Sequence, residues 1–279
     1  MQEFDPQVLK DLYTPSRDSH KGQNGKVMLI AGSKLFHAAS IWPLTVMSRM
    51  ADMVFYASVS DNNEIVSRMK EQFVNGIVIT RDKIDDYITE TDCVLIGPGL
   101  PREDGIERGD DDTKTLTEGL LAKYSDKKWV IDGGSLQVIE PRSIPKGSII
   151  TPHLKEFETL FGVDISNLGI EDRASKVSEM AEKYGLVILS KGEVDIISNG
   201  SQTATVSGGN SGMTKGGTGD VLAGLTAALY AKNDSFVSAC AASYINKKAG
   251  ENLEKTMGIN FNASDLANEI PRTIKDLIL

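Results

Sequence analysis

Cysteine is nearly missing from this chain: Cys93 and Cys240 are the two thiols in 279 residues. They have neither the number nor the spacing of a disulfide framework or a zinc site. Both are expected to be reduced and buried, as free cysteine commonly is, which suits a reducing cytoplasm. Long apolar runs are missing as well. No segment approaches the ~20 consecutive apolar residues of a membrane span, and residues 1–17 lack the apolar core of a signal peptide. Positive charge is not in excess. Thirty Lys and Arg face 39 Asp and Glu, for a net charge of −9, so no broad field attracts nucleic acid or an acidic membrane. A local basic site for one nucleotide remains compatible with that balance. No Pro- or Ser-rich linker, internal repeat or low-complexity tract divides the sequence. The expectation is one soluble, cytoplasmic domain over residues 1–279, long enough to bury a sizeable core.

What is present is alternation. Short β-branched runs predict strands at Lys26–Ala31, Val54–Ser58, Gly76–Thr80, Cys93–Ile96, Trp129–Asp132, Ser148–Thr151, Leu186–Ser190, Asp195–Ser198 and Gln202–Val206. Amphipathic stretches predict helices at Ala38–Met50, Asp61–Lys70, Thr113–Tyr124, Lys155–Phe161, Glu171–Tyr184, Asp220–Ala231, Ser235–Lys248 and Ser264–Leu277. This order implies an α/β fold with a mostly parallel sheet and helices on both faces. Gly200-Ser201 between the last two strands reads as a hairpin turn, giving an antiparallel edge. The charge-dense segment Arg102–Asp112 reads as a solvated loop with Asp112 capping the next helix. A magnesium site from Asp110–Asp112 is the sharper alternative. Polar or glycine-rich segments follow several strands directly: Gly32-Ser33, Gly97-Pro98-Gly99, Asp132-Gly133-Gly134, Thr151-Pro152-His153 and Lys191-Gly192. They should meet on the one rim where open α/β sheets bind ligands.

The most informative stretch is residues 208–224, GGNSGMTKGGTGDVLAG. Its second glycine cluster opens an apolar helix whose face carries Val221, Leu222, Leu225, Ala228 and Leu229. Gly216, Gly217, Thr218 and Gly219 therefore sit at a helix N-terminus, where amides lack helical partners and the dipole is positive. Glycine lets an anion approach such a backbone closely. The segment is a phosphate cradle without the G-x-x-x-x-G-K-[ST] pattern of a P-loop. Asp220 follows at once. It either decorates the helix start or accepts a proton from a hydroxyl attacking a phosphoryl group.

GNSGMTKGGTGDVLAG closely resembles the nucleotide-binding signature of the NAD(P)H-hydrate dehydratases, which have a ribokinase-like three-layer αβα fold. Lys21-Gly22 and Gly25-Lys26 before VMLIAGS, Gly97-Pro98-Gly99-Leu100, Thr151-Pro152-His153 with Glu156-Phe157, Lys191-Gly192 with Asp195, and Ala263-Ser264-Asp265-Leu266 match the family in order and spacing. The resemblance covers roughly residues 20–270. Too few residues precede it for the epimerase domain often fused to this family, so a stand-alone unit is expected.

The resemblance implies ADP- or ATP-dependent removal of water from hydrated NADH or NADPH, with Mg2+, through phosphorylation of the hydrate hydroxyl and loss of phosphate. It also implies a homo-oligomer, with a tetramer as one form. Asp220 would be the base and the amides of Gly217, Thr218, Gly219 and Asp220 the anion hole. Lys191, Gly192, Glu193, Val194, Asp195, Asn210, Gly212, Lys215, Gly216 and Gly219 would line the nucleotide site. Ala39, Gly99, His153 and Asp220 would face the substrate.

Plainer roles stand beside these. The plainer role of His153 is to bond backbone at a strand end; Lys215 has equal claim to be solvated; Glu156 is expected to cap or solvate its helix; His37 reads as an exposed loop residue. Four positions depart from the family: Gly134 replaces a second acid after Asp132, Ser211 replaces a proline, Ala31 replaces a glycine, and residues 35–40 are not glycine-rich. Asp132 remains as a ligand that would hold magnesium through water. A small-molecule kinase of the same fold and a nucleotide-binding protein without turnover are the competing functions.

Overall fold

The computed structural model describes residues 1–69, 75–102 and 110–278. Among the described residues, ten strands form one sheet in the order β1-β10-β9-β8-β7-β6-β5-β2-β3-β4. In chain order the strands are β1 (Gln2–Glu3), β2 (Lys26–Ile30), β3 (Met53–Ala57), β4 (Ile77–Ile79), β5 (Cys93–Ile96), β6 (Lys128–Ile131), β7 (Ile149–Ile150), β8 (Val187–Ser190), β9 (Asp195–Ser198) and β10 (Thr203–Val206). The seven strands from β4 to β8 along the sheet pair in parallel. The pairs β8–β9 and β9–β10 are antiparallel.

The hairpin forms as expected, with Ser198 opposite Thr203. It is not the outermost element, because β1 adds in parallel to β10. A two-residue polar strand leaves no periodic signal, and it was not foreseen. The helices are α1 (Ala38–Met50), α2 (Ser60–Arg68), α3 (Ile84–Ile88), α4 (Thr113–Lys123), α5 (Leu154–Phe161), α6 (Ile170–Tyr184), α7 (Thr218–Tyr230), α8 (Ser235–Met257) and α9 (Ala263–Ile278). The expected C-terminal residue of the second helix, Lys70, lies outside the described residues, as do 103–109 of the charge-dense loop.

The sheet separates two cores because strand side chains alternate. Val27, Leu29, Tyr56, Cys93, Leu95 and Val130 face α1, α7, α8 and α9. Met28, Ile30, Phe55, Val94, Ile96 and Trp129 face α3, α4, α5 and α6. This is the three-layer arrangement expected from the alternation of elements. Both cysteines are free and buried, as expected.

The helix α8 runs nine residues beyond its expected end at Lys248. Gly250 does not stop it; a Cβ there would stand 2.4 Å from Met213 Sδ, so its glycine serves close packing. Helix α7 is buried nearly all round and packs on α1, α8, β5 and β6, as expected of a helix without a polar face. A Cβ on Gly224 would lie 2.7 Å from Pro43 Cα, so α1 and α7 meet backbone to backbone.

The sheet order sets the position of the site. The chain lays down β2, β3 and β4 in one direction, then returns to place β5 on the other side of β2. The order reverses between β2 and β5, where a crevice opens beyond the strand ends. The loops there are stitched together: Gly32 N donates to Pro98 O, Gly134 N to Gly97 O, and Lys191 N to Pro152 O.

Candidate functional site

The N-terminus of α7 is built from residues 210–220. The Asn210 side chain accepts from Gly212 N at 2.9 Å and starts a short 3-10 turn, Ser211–Thr214. The Thr218 hydroxyl donates to Met213 O at 2.6 Å and interacts with Lys215 O at 2.9 Å, fastening that turn to the helix. Gly217 is the N-cap, with φ +97, a left-handed conformation that glycine adopts without strain. The amides of Gly219 and Asp220 fall in the first helical turn, where no helical carbonyl can reach them.

Two cavities flank this turn. The larger, about 850 Å³, is lined by the β8–β9 loop residues Lys191 to Asp195, by residues 207–211, and by Thr218 and Gly219. The smaller, about 480 Å³, is lined by Ser33, Phe36, Ala39, Gly99, Arg102 and Asp220, among others. Consecutive residues thus face different cavities: Gly219 the larger and Asp220 the smaller.

A charged cluster underlies the junction. Lys191 Nζ lies 2.8 Å from Asp132 Oδ1 and 3.8 Å from Glu156 Oε2. Asp132 Oδ1 also accepts from Thr151 Oγ1 at 2.7 Å. Burial opposes the charge on Lys191, but Asp132 and Glu156 outweigh it and hold the ammonium at about 12. Burial, with Asp132 and Glu156 nearby, pushes Asp220 up to about 8 against the pull of Lys191. Glu156, 5% exposed, is raised to about 7, chiefly by burial and further by Asp132, with Lys191 opposing. One cation therefore serves three carboxylates, and two of these favour their protonated forms.

The residues expected at the site divide accordingly. Lys191, Gly192, Glu193, Val194, Asp195, Asn210, Thr218 and Gly219 line the larger cavity. Ala39, Gly99 and Asp220 line the smaller. Asp195 faces its cavity but is committed to structure: its carboxylate accepts from Gly192 N at 2.8 Å and Ser243 Oγ at 2.7 Å.

Several placements differ from expectation. His153 lines the larger cavity rather than the smaller. Its Nδ1 accepts from Lys155 N and Glu156 N, both at 3.1 Å, so it caps α5. Burial first, then the Lys191 charge, lowers its pKa and favours the neutral ring. Lys215 turns away, and its ammonium donates to the carbonyls of Ile259 and Phe261. Gly216 is exposed, and Gly212 packs on the Phe261 ring; neither lines a described cavity. Gly217 directs its missing side chain at Trp42, 2.4 Å from an added Cβ. A larger residue there would strike Trp42 rather than fill an anion site.

The acidic positions are also resolved by contacts. Asp110 accepts from Lys34 N, Asp111 pairs with Arg81 at 2.7 Å, and Asp112 caps α4 through Thr115 N. The three carboxylates have three separate partners and do not converge on a cation. Among the described residues, no group of three or more His, Cys, Asp and Glu is arranged to hold a metal ion. Gly134 leaves no space for the acid the family carries: a Cβ there would lie 2.1 Å from Leu100 O.

Sequence reasoning left three polar residues off the site. Glu156 completes a capping box with His153, as foreseen, but is buried against Lys191 rather than solvated. Its i+3 spacing from His153 signals the cap, whereas its burial follows from the neighbouring strand. Lys247 donates to the carbonyls of Gly192 and Glu193 at 3.1 and 2.9 Å. Asn246 lines the larger cavity beside it. On the sequence both are ordinary residues of a long helix.

Comparison with known proteins places the chain in a family. A family model described as NAD(P)H-hydrate dehydratase matches residues 27–272. The chain belongs to the NAD(P)H-hydrate dehydratase family. A bifunctional NAD(P)H-hydrate repair enzyme of Methanocaldococcus jannaschii is 36% identical over 96% of this chain and 51% of its own length. The chain thus spans about half the length of that relative. An ADP-dependent (S)-NAD(P)H-hydrate dehydratase of Cenarchaeum symbiosum is 34% identical over 69% of this chain and 68% of its own.

The fold of this dehydratase-family chain also has solved counterparts. The ADP/ATP-dependent NAD(P)H-hydrate dehydratase of Bacillus subtilis, co-crystallised with ATP and Mg2+, superposes with a TM-score of 0.82 at 23% identity, covering 99% of this chain and 98% of that one. A ribokinase of Arabidopsis thaliana superposes with a TM-score of 0.59 at 10% identity, over 91% and 99%. The fold is ribokinase-like. Among the described residues, no helix is long and apolar enough to cross a membrane.

Proposed function

We propose that this chain is an ADP- or ATP-dependent dehydratase that returns hydrated NADH or NADPH to the reduced dinucleotide. The observation that carries the reading is the junction between the cavities, where Gly219 and Asp220 face opposite sides of one helical turn. Adenine nucleotide occupies the larger cavity with its terminal phosphate at the α7 N-terminus. Hydrated dinucleotide occupies the smaller, with its hydroxyl beside Asp220. Family membership supplies the substrate class.

The hydroxyl oxygen attacks the terminal phosphoryl group as the bond to the leaving nucleotide breaks, and Asp220 takes the hydroxyl proton. The first-turn amides and helix dipole stabilise charge on the transferred group. Loss of inorganic phosphate and one ring proton then restores the double bond. With a pKa near 8, Asp220 holds a proton in much of the resting protein at neutral pH. The kcat/KM of the dehydration is therefore expected to rise with pH through about 8, since that ratio reports the free enzyme.

Mg2+ is the metal of this reading. Both hydrogen bonds to Asp132 end on Oδ1, so Oδ2 is the oxygen that would hold the ion through water, alongside nucleotide phosphates, which is how Mg2+ commonly binds. When bound it would neutralise phosphate charge. The buried free thiols support a reducing, cytoplasmic setting. Exposed Met257 at the end of α8 and Ile259 just beyond it support a homo-oligomer, testable by light scattering.

The test is an absorbance assay with hydrated NADH, Mg2+ and either ADP or ATP. The expected result is nucleotide-dependent recovery of the reduced nicotinamide signal. In Asp220→Asn it should fall by about 10²–10⁴ while ADP still binds. No recovery from folded protein that binds ADP would overturn the dehydratase reading.

A further inference from the structure

Helix α8 turns one polar face to the loops of the larger cavity. Ser243, Lys247 and Glu251 recur at every fourth residue and so share that face. Each holds a loop that lines the cavity. Ser243 donates to Asp195 Oδ2 at 2.7 Å. Lys247 donates to Gly192 O and Glu193 O at 3.1 and 2.9 Å, and reaches Gly208 O and Asp195 Oδ1 at 3.5 Å. Glu251 Oε1 accepts from Gly209 N at 3.2 Å. Beside it, Gly250 O accepts from Asn210 Nδ2 at 2.8 Å.

Two separate chain segments therefore rest on one helix. The β8–β9 loop sits on Ser243 and Lys247, and the glycine loop of residues 207–211 sits on Lys247, Gly250 and Glu251. Lys247 is common to both. The contact is close: a Cβ on Gly208 would stand 2.5 Å from Glu251 Oε1, and one on Gly209 would stand 3.5 Å from Lys247 Cγ. Lys247 is 7% exposed, and a buried ammonium is tolerated where acceptors surround it. Those acceptors need it in turn. Without the ammonium, three carbonyls and the Asp195 carboxylate would converge with no cation among them, which favours their moving apart.

We propose that Lys247 is a positioning residue for nucleotide binding. It sets the spacing of the β8–β9 loop and the glycine loop, so that both meet the nucleotide at once. Glu251 assists by anchoring the glycine loop through Gly209 N. Asn210 carries the same register onward, because its Oδ1 starts the 3-10 turn that leads into α7. Neither Lys247 nor Glu251 acts on the reacting atoms. This inference rests on the larger cavity being the nucleotide site.

The experiment is equilibrium binding of ADP with Mg2+ to the wild-type protein, Lys247→Met and Glu251→Ala, with folding checked by thermal denaturation. The KM values for ADP and for hydrated NADH are then measured on the same proteins. Lys247→Met should weaken ADP binding about tenfold, raising the KM for ADP and leaving the KM for hydrated NADH unchanged. Glu251 is not among the residues that line the cavity. Its loss removes a negative charge and frees Lys248, its partner at 2.8 Å, so the field alone would tighten the binding of an anion. Loss of the loop anchor should weaken ADP binding instead, by about threefold or more. The sign of the Glu251→Ala effect thus separates positioning from electrostatics.

Unchanged ADP affinity in either folded variant, even with a lowered melting temperature, would overturn the inference and leave the proposed function standing. Tighter ADP binding in Glu251→Ala would do the same, as would a KM for hydrated NADH that rises with that for ADP. Failure of the wild type to bind ADP would overturn both. Should Lys247→Met not fold, Glu251→Ala decides, since its side chain is partly exposed.

Discussion

Glycines at the site act through the space they leave, and that space differs from one to the next. Gly219 lines the larger cavity, and an added Cβ would stand 3.4 Å from Lys191 Nζ without meeting backbone. Gly219→Val should fold and bind ADP about tenfold more weakly or worse, a loss of about 1.4 kcal/mol. Gly217→Ala meets Trp42 and a left-handed backbone instead, so it should lower the melting temperature. Calorimetry with and without ADP separates the two outcomes; loss of binding in a stable Gly217→Ala protein would contradict this assignment. Gly134 answers to the same reasoning. Restoring an acid with Gly134→Asp should destabilise the protein by about 1–3 kcal/mol or more through the clash with Leu100 O. A gain in turnover from a stable Gly134→Asp protein would show that the loop has room for the acid.

Helix α9 carries Pro271 in its interior, which removes the N–H that would bond the carbonyl of Ala267. Arg49 of α1 fills that role: Nη1 donates to Ala267 O at 3.2 Å and Nη2 to Asn268 Oδ1 at 2.6 Å. The two helices are thereby joined through a backbone group that proline freed. Arg49→Met should cost about 1–3 kcal/mol. In a Pro271→Ala background the cost should shrink, because the new N–H takes over the Ala267 carbonyl. A denaturant-midpoint cycle checks this, and equal costs in both backgrounds would refute the link. The element-scale pattern was readable for α1, α7 and the hairpin, where periodicity or turn residues are local. It failed for β1 and for the last nine residues of α8, since a two-residue strand depends on its neighbour and Gly250 is explained only by Met213.

At the scale of the molecule, the buried cluster makes stability depend on pH. Asp220 and Glu156 have folded pKa values near 8 and 7, above the 3.8 and 4.5 of free groups. The folded state thus binds protons more tightly than the unfolded chain. The stabilisation from these two groups is full below about pH 4 and is lost as pH rises through 7 and 8. Asp220→Asn cannot ionise, so its advantage over wild type should grow between pH 5 and pH 8, by at least about 1 kcal/mol or about 2–4 °C. Melting temperatures of both proteins across that range test the shift; an advantage that stays flat from pH 5 to pH 8 would show that the Asp220 pKa is not raised.

The sequence by itself determined the alternation of strands and helices, the glycine-rich start of α7, the position of Asp220 beside it and the strand-end segments that form the rim. Each is written in contiguous residues, through side-chain period or the lack of partners at a helix end. Tertiary structure alone decided which of those residues meet. Lys191 reaches Asp132 and Glu156 because β6, β7 and β8 are neighbours in the sheet. Lys215 turns to the α8–α9 connection, Gly134 is closed in by Leu100, and Asn246 lines the wall of the larger cavity. Burial and ionisation are set by everything packed around a group, and most of that packing comes from distant parts of the chain.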